Sequence, residues 1–184
     1  MPTLDGQPMP EEVDLGRLSE VVEMSRQVVE ALALAASVVI DQVHGVSEIE
    51  LELENTSRRF LVRAVEVDER ARETYSDPDE ATEEAAEAMG IALAPRIFER
   101  VVFRRLPKGT GADYLMRAPG STDEASFERL ECSGMARGTA PATDRLNAKR
   151  EQVTRGVSSF PGRVMVTDFR TRPLRAYTDP IQHD

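Results

Sequence analysis

Cysteine, histidine and lysine are scarce in this 184-residue chain, which holds one cysteine, two histidines and two lysines. Cys132 alone cannot close an internal disulfide, and with only His44 and His183 it falls short of the sulfur and imidazole ligands that a structural zinc takes. Neither histidine stands beside an acid and a nucleophile in sequence, so a Ser/His/Asp hydrolase has little support. The longest apolar run, Ala31 to Ile40, reaches half of the ~20 residues a membrane-crossing helix needs. From Met1 to Asp14 the only charges are acidic, so the basic start of a secretory signal is missing. These absences predict a cytoplasmic protein without membrane contact. Aromatic residues make up 5% of the chain, and the rings near bases (Phe103, Tyr114, Phe127 and Phe169) fall at positions that suit a core better than a stacking surface for nucleic acid.

At 184 residues and 40% hydrophobic composition, the chain has the size of one domain and more apolar content than a disordered chain carries. Its net charge of −10 is unevenly spread: residues 1–100 hold 23 acids and 9 bases, residues 101–184 hold 10 acids and 14 bases. A phosphate backbone is repelled by the first part and attracted by the second, so any nucleic-acid contact is expected on the 101–184 half. Of the 23 bases all but Lys108 and Lys149 are arginine, which sets those two apart.

Pro2, Gly6, Pro8 and Pro10 suit a mobile arm, and residues 1–15 are expected to form a flexible tail. From Leu18 to Val43 apolar residues recur at three- and four-residue spacing, which predicts a helix of about seven turns stopped by Gly45. Leu18, Ser25, Leu32 and Val39 also repeat every seven residues, so this helix is either a core element or a seam for a protein partner or a second copy. Ile49, Leu51 and Leu53 alternate with glutamates, and Phe60, Val62 and Ala64 follow a short turn, which predicts a hairpin with an acidic outer face. Ser76-Asp77-Pro78-Asp79 has helix-start chemistry ahead of an alanine-rich helix over 81–94. Three short strands are predicted over 101–103, 112–116 and 127–135, then a charged helix over 143–155 and a strand over 163–169. The expected class is α/β (α+β) in one domain over 16–176. Its N-terminal long helix and hairpin (16–75) precede a core of helix, three strands, helix and strand (80–176) with a central mixed sheet, and a polar tail covers 177–184.

Asp113 is expected on the second strand of the trio and Glu131 on the third, where alternation puts Arg129, Glu131 and Ser133 on the face opposite Leu130 and Cys132. Two carboxylates on adjacent strands can share a hard cation such as Mg2+, which takes oxygen ligands and activates water for attack on a phosphodiester. The plainer readings are that Asp113 caps local amides and that Glu131 pairs with Arg129, Arg145 or a strand neighbour. The turn Gly109-Thr110-Gly111 lacks the spacing of a phosphate-binding loop and reads as a hairpin turn.

This order of elements, with Asp on the middle strand and Glu on the next, resembles the core of the restriction-endonuclease-like nucleases, the PD-(D/E)xK superfamily. More locally, Lys108-Gly109-Thr110-Gly111-Ala112-Asp113-Tyr114, Arg129-Leu130-Glu131-Cys132-Ser133-Gly134 and Arg145-Leu146-Asn147-Ala148-Lys149 resemble a group of bacterial proteins sharing "KGTGxDYxxG, RLExSG, RxxxK", a family to which no activity is attached. The superfamily resemblance implies that Asp113 and Glu131 hold Mg2+ and that a lysine two positions after the glutamate assists the attacking water. This chain has Ser133 there, which brings no positive charge. Lys149, on the following helix, is the candidate replacement, with Gln152 three residues on, and Glu84 or Glu87 can add a carboxylate. The resulting expectation is a bacterial accessory or interaction protein with a degenerate, non-catalytic nuclease-like core, which docks through its acidic N-terminal part. The alternative is a Mg2+-dependent nuclease cleaving phosphodiester bonds in a defence system.

Overall fold

The computed structural model describes residues 3–4, 7–156 and 158–181. In chain order the elements are β1 (Thr3–Leu4), β2 (Gln7–Pro8), β3 (Glu11–Asp14), α1 (Arg26–His44), β4 (Glu48–Leu53), β5 (Arg59–Arg63), α2 (Glu69–Thr74), α3 (Pro78–Ile97), β6 (Val101–Arg105), β7 (Tyr114–Arg117), β8 (Glu128–Met135), α4 (Ala142–Arg155), β9 (Gly162–Asp168) and β10 (Leu174–Ile181). β1 and β2 pair with each other, and the rest form one eight-stranded sheet in the order β3-β5-β4-β10-β9-β8-β7-β6. β7 runs antiparallel to both of its neighbours, β6 and β8, and α4 carries the chain over to β9, parallel to β8. The fold is α/β with a mixed sheet, as the pattern of the sequence predicts.

Side-chain alternation divides the sheet into two faces. Ile49, Leu51, Phe60, Val62, Leu130, Cys132 and Met165 share one buried cluster with α1 and α3, while Val164 and Val166 point the other way and pack under Ala142 and Val153 of α4. The helix α3 starts where Asp77 accepts the amides of Asp79 and Glu80. Its alanines and Gly90 let it lie low on the sheet. A Cβ at Gly90 would overlap the Cys132 sulfur, and one at Gly134 of β8 would come within 2.5 Å of the Thr82 carbonyl oxygen.

Four expectations are corrected. The N-terminal arm is not a free tail up to residue 15: Glu11–Asp14 pairs in parallel with β5, and Val13 and Leu15 are buried, because the open edge of β5 satisfies the backbone of any short apolar segment beside it. Residues 1, 2, 5 and 6 of that arm lie outside the described residues. The long helix begins at Arg26, and Leu15–Glu20 is a 3-10 turn capped by Asp14. Its apolar face finds its partner within the chain, since Leu32 and Val39 of the seven-residue seam are buried in the cluster that α1 shares with α3. α1 is long and apolar enough by length and composition to cross a membrane, and half of that stretch is buried inside the fold. The expected C-terminal tail from residue 177 is largely strand: β10 runs to Ile181, parallel to β4 and antiparallel to β9. Residues 182–184 lie outside the described residues. Finally, Asp113 stands one residue before β7 rather than within it.

The acidic outer face of the β4–β5 hairpin is met by arginines: Arg63 lies 3.0 Å from both Glu48 and Glu12, and Arg175 lies 3.2 Å from Glu54.

Candidate active site

Strands of unequal length open the site. β7 pairs with β8 only from Tyr114 opposite Leu130 to Met116 opposite Glu128, whereas β8 continues beside β9 to Met135. Beyond Glu131, β8 has no strand on its β7 side, and a cleft of about 820 Å³ occupies the gap between α3 and α4. Asp113, Glu131, Lys149, Gln152, Glu84 and Glu87, which come from four separate stretches of sequence, all line this cleft.

Glu131 is 1% exposed, on the α4 side of β8. Lys149 Nζ donates to its Oε1 at 2.6 Å and Gln152 Nε2 donates to the same oxygen at 3.0 Å. Lys149 and Gln152 lie three apart on α4, so both side chains leave one face of the helix, and Lys149 Nζ also reaches Gln152 Oε1 at 3.1 Å. Glu131 Oε2 is buried and accepts no N–H or hydroxyl hydrogen bond among the described residues, while the Asp113 and Glu131 carboxyls are hydrogen-bonded to each other. Asp113 accepts the Cys132 amide on Oδ2 at 2.8 Å, so part of its plainer role as an amide acceptor is real, and the amide comes from the neighbouring strand. Burial, and after it the charge of Glu131, pushes the Asp113 carboxyl up to about 7. Burial also raises Glu131, against the lowering effect of Lys149. One ammonium group faces a buried and a half-buried carboxyl, and the pair is short of positive charge.

Glu87 is held differently. The Tyr114 hydroxyl donates to its Oε2, and the Arg105 guanidinium lies 3.2 and 3.1 Å from its two oxygens. Burial raises the Glu87 carboxyl and the Tyr114 phenol, which keeps the phenol a donor. The sequence reading overlooked Arg105 and Tyr114 as the clamp on Glu87; their signal is that the β6–β7 register sets them opposite each other, on the face turned to α3. Ser133, at the position where the nuclease pattern has lysine, accepts from Arg145 Nε at 2.7 Å. The plainer reading paired Glu131 with Arg129, Arg145 or a strand neighbour. Arg145 takes Ser133 instead, while Arg129 donates to the carbonyls of Phe160 and Val153 at 3.0 and 3.2 Å.

Among the described residues, no three histidine, cysteine or acidic side chains converge in a metal-binding group. The Asp113–Glu131 pair nevertheless has the oxygen chemistry a hard cation takes: a half-buried and a buried carboxyl hydrogen-bonded to each other, each made harder to ionise by burial, so that a cation replacing the shared proton would relieve both. No family model, curated protein or solved structure matches the chain.

Proposed function

We propose that the chain is a Mg2+-dependent phosphodiester hydrolase acting on nucleic acid, with Asp113 and Glu131 as the cation's ligands and Lys149 as the charged group beside them. The observation that carries this reading is the Lys149 ammonium 2.6 Å from Glu131 in the cleft that also holds Asp113, which supplies from α4 the positive charge that Ser133 lacks. The cation, when bound, would lower the pKa of a water and draw negative charge from the phosphoryl group. The reaction adds water across one ester bond: the hydroxyl oxygen bonds to phosphorus, the bond from phosphorus to the leaving oxygen breaks, and a proton ends on that oxygen. Glu131 fixes the Lys149 ammonium, Gln152 bridges the two, and the fixed charge stabilises the anionic phosphoryl oxygens as they gain charge. Glu87, clamped by Tyr114 and Arg105, shapes the α3 wall.

With Mg2+ and a labelled oligonucleotide, Lys149→Ala and Glu131→Gln are each expected to lower cleavage by about 10²–10³-fold, the scale of losing a single charge-stabilising group. Equal activity in the wild type and in an Asp113→Ala, Glu131→Ala double variant would sink the proposal. A second reading, a non-catalytic protein-binding module, draws on Ser133 being tied to Arg145. Calorimetry that detects no Mg2+ or Mn2+ binding dependent on Asp113 and Glu131 would favour it.

A further inference from the structure

The chain's two lysines both line the same cleft, although arginine supplies every other basic side chain in the sequence. Lys149 is engaged by Glu131 and Gln152. Lys108 is exposed and forms no ion pair among the described residues. It sits at the corner of a turn in which the Thr110 amide and hydroxyl meet the Pro107 carbonyl at 3.4 and 2.9 Å, with Gly109 at φ 91°, as the third position of such a turn demands. Behind the turn, Gly111 packs its backbone on the end of α4, where a Cβ would come within 2.9 Å of the Gly156 Cα. The loop is therefore held against α4, and Lys108 belongs to the α4 rim of the cleft together with Lys149 and Arg155. The opposite wall, on α3, carries Glu80, Glu83, Glu84 and Glu87, of which Glu87 is paired with Arg105. The cleft has its lysines along one side and an excess of glutamates along the other.

A polyanion with one backbone can lie along the basic rim, whereas a second backbone across the cleft would face the glutamates. Resting on the hydrolase reading for the identity of the site, we infer that the substrate is a single nucleic-acid strand and that Lys108 holds a phosphate of it next to the one beside Lys149. Lys108 is a substrate-binding residue, and the α3 glutamates exclude duplex.

The test is fluorescence anisotropy with a short phosphorothioate-linked single strand and with the same sequence as duplex, in Mg2+, across a series of salt concentrations. Lys108→Ala is expected to weaken single-strand binding by about tenfold and to reduce the slope of log affinity against log salt by about 0.7, with Lys108→Arg restoring both. Replacing the exposed Glu80 and Glu83 by glutamine is expected to tighten duplex binding more than single-strand binding. Unchanged affinity and slope in Lys108→Ala, duplex bound as tightly as strand, or no binding by the wild type would each overturn the inference. Lys108-dependent binding without any cleavage would remove the hydrolase reading and leave this inference standing. Cleavage with Lys108-independent binding would do the reverse.

Discussion

Asp113 bears the larger electrostatic cost in the cleft, because Lys149 and Gln152 both lean on Glu131. Burial, and after it the charge of Glu131, pushes its carboxyl up to about 7 from an ordinary value of 3.8. Between those values the folded protein keeps a proton that the unfolded chain has released, so stability falls as pH rises from about 4 to about 7 and then levels off. Asp113→Asn removes the share of that slope owed to Asp113, while the raised Glu131 carboxyl keeps its own: the variant's gain over the wild type is expected to be small near pH 4, to grow through the window and to be constant above it, as read by urea denaturation. Mg2+ is expected to raise the wild-type melting temperature more at pH 8 than at pH 5 and to do little for the variant, since a cation bound to the folded state stabilises it by mass action. At this scale the meeting of Asp113, Glu131 and Lys149 in one cleft was legible, because strand alternation and helix spacing are local. The clamp on Glu87 was not, because it depends on a register shift between Val102 and Arg104 in the β6–β7 pairing that no local pattern records.

Elements are held together here by missing side chains as much as by present ones. Gly90 lets α3 settle onto Cys132, and Gly134 lets β8 meet the Thr82 carbonyl. Gly90→Ala drives a methyl into the Cys132 sulfur and is expected to cost about 1–3 kcal/mol of stability, whereas the same change in a Cys132→Ala background should cost much less, since the space is then free. Equal costs in the two backgrounds, measured by chemical denaturation, would show that the contact yields by another route. The helices α3 and α4 and the strands β4, β5, β8 and β9 were legible to within a few residues, each carrying its own periodicity or cap. β3 and β10 were not. Val13 stands among acids and β10 contains Pro180, so neither looks like a strand alone, and both exist because an adjacent strand offers unpaired backbone.

At the scale of the whole molecule, β10 is, among the described residues, the one strand joining the N-terminal hairpin to the strands that carry the cleft. The charge division of the chain is softened by the fold, because Arg105, Arg117 and Arg175 of the basic part pair with Glu87, Glu23 and Glu54 of the acidic part. A chain ending at Pro173 keeps every side chain of the candidate site, yet leaves β4 and β9 with facing open edges. It is expected to be strongly destabilised, seen as a lost or much earlier thermal transition by circular dichroism. Wild-type-like melting of that truncation would place residues 174–181 among dispensable appendages. The general class and the order of elements could be read from the sequence, but not the way the two halves are stitched together, since that rests on a pairing between positions near 51 and 174. β10 meets β4 across more than a hundred intervening residues, so zipping the two flanks of the sheet together waits on the closure of a long loop, a slow event in folding.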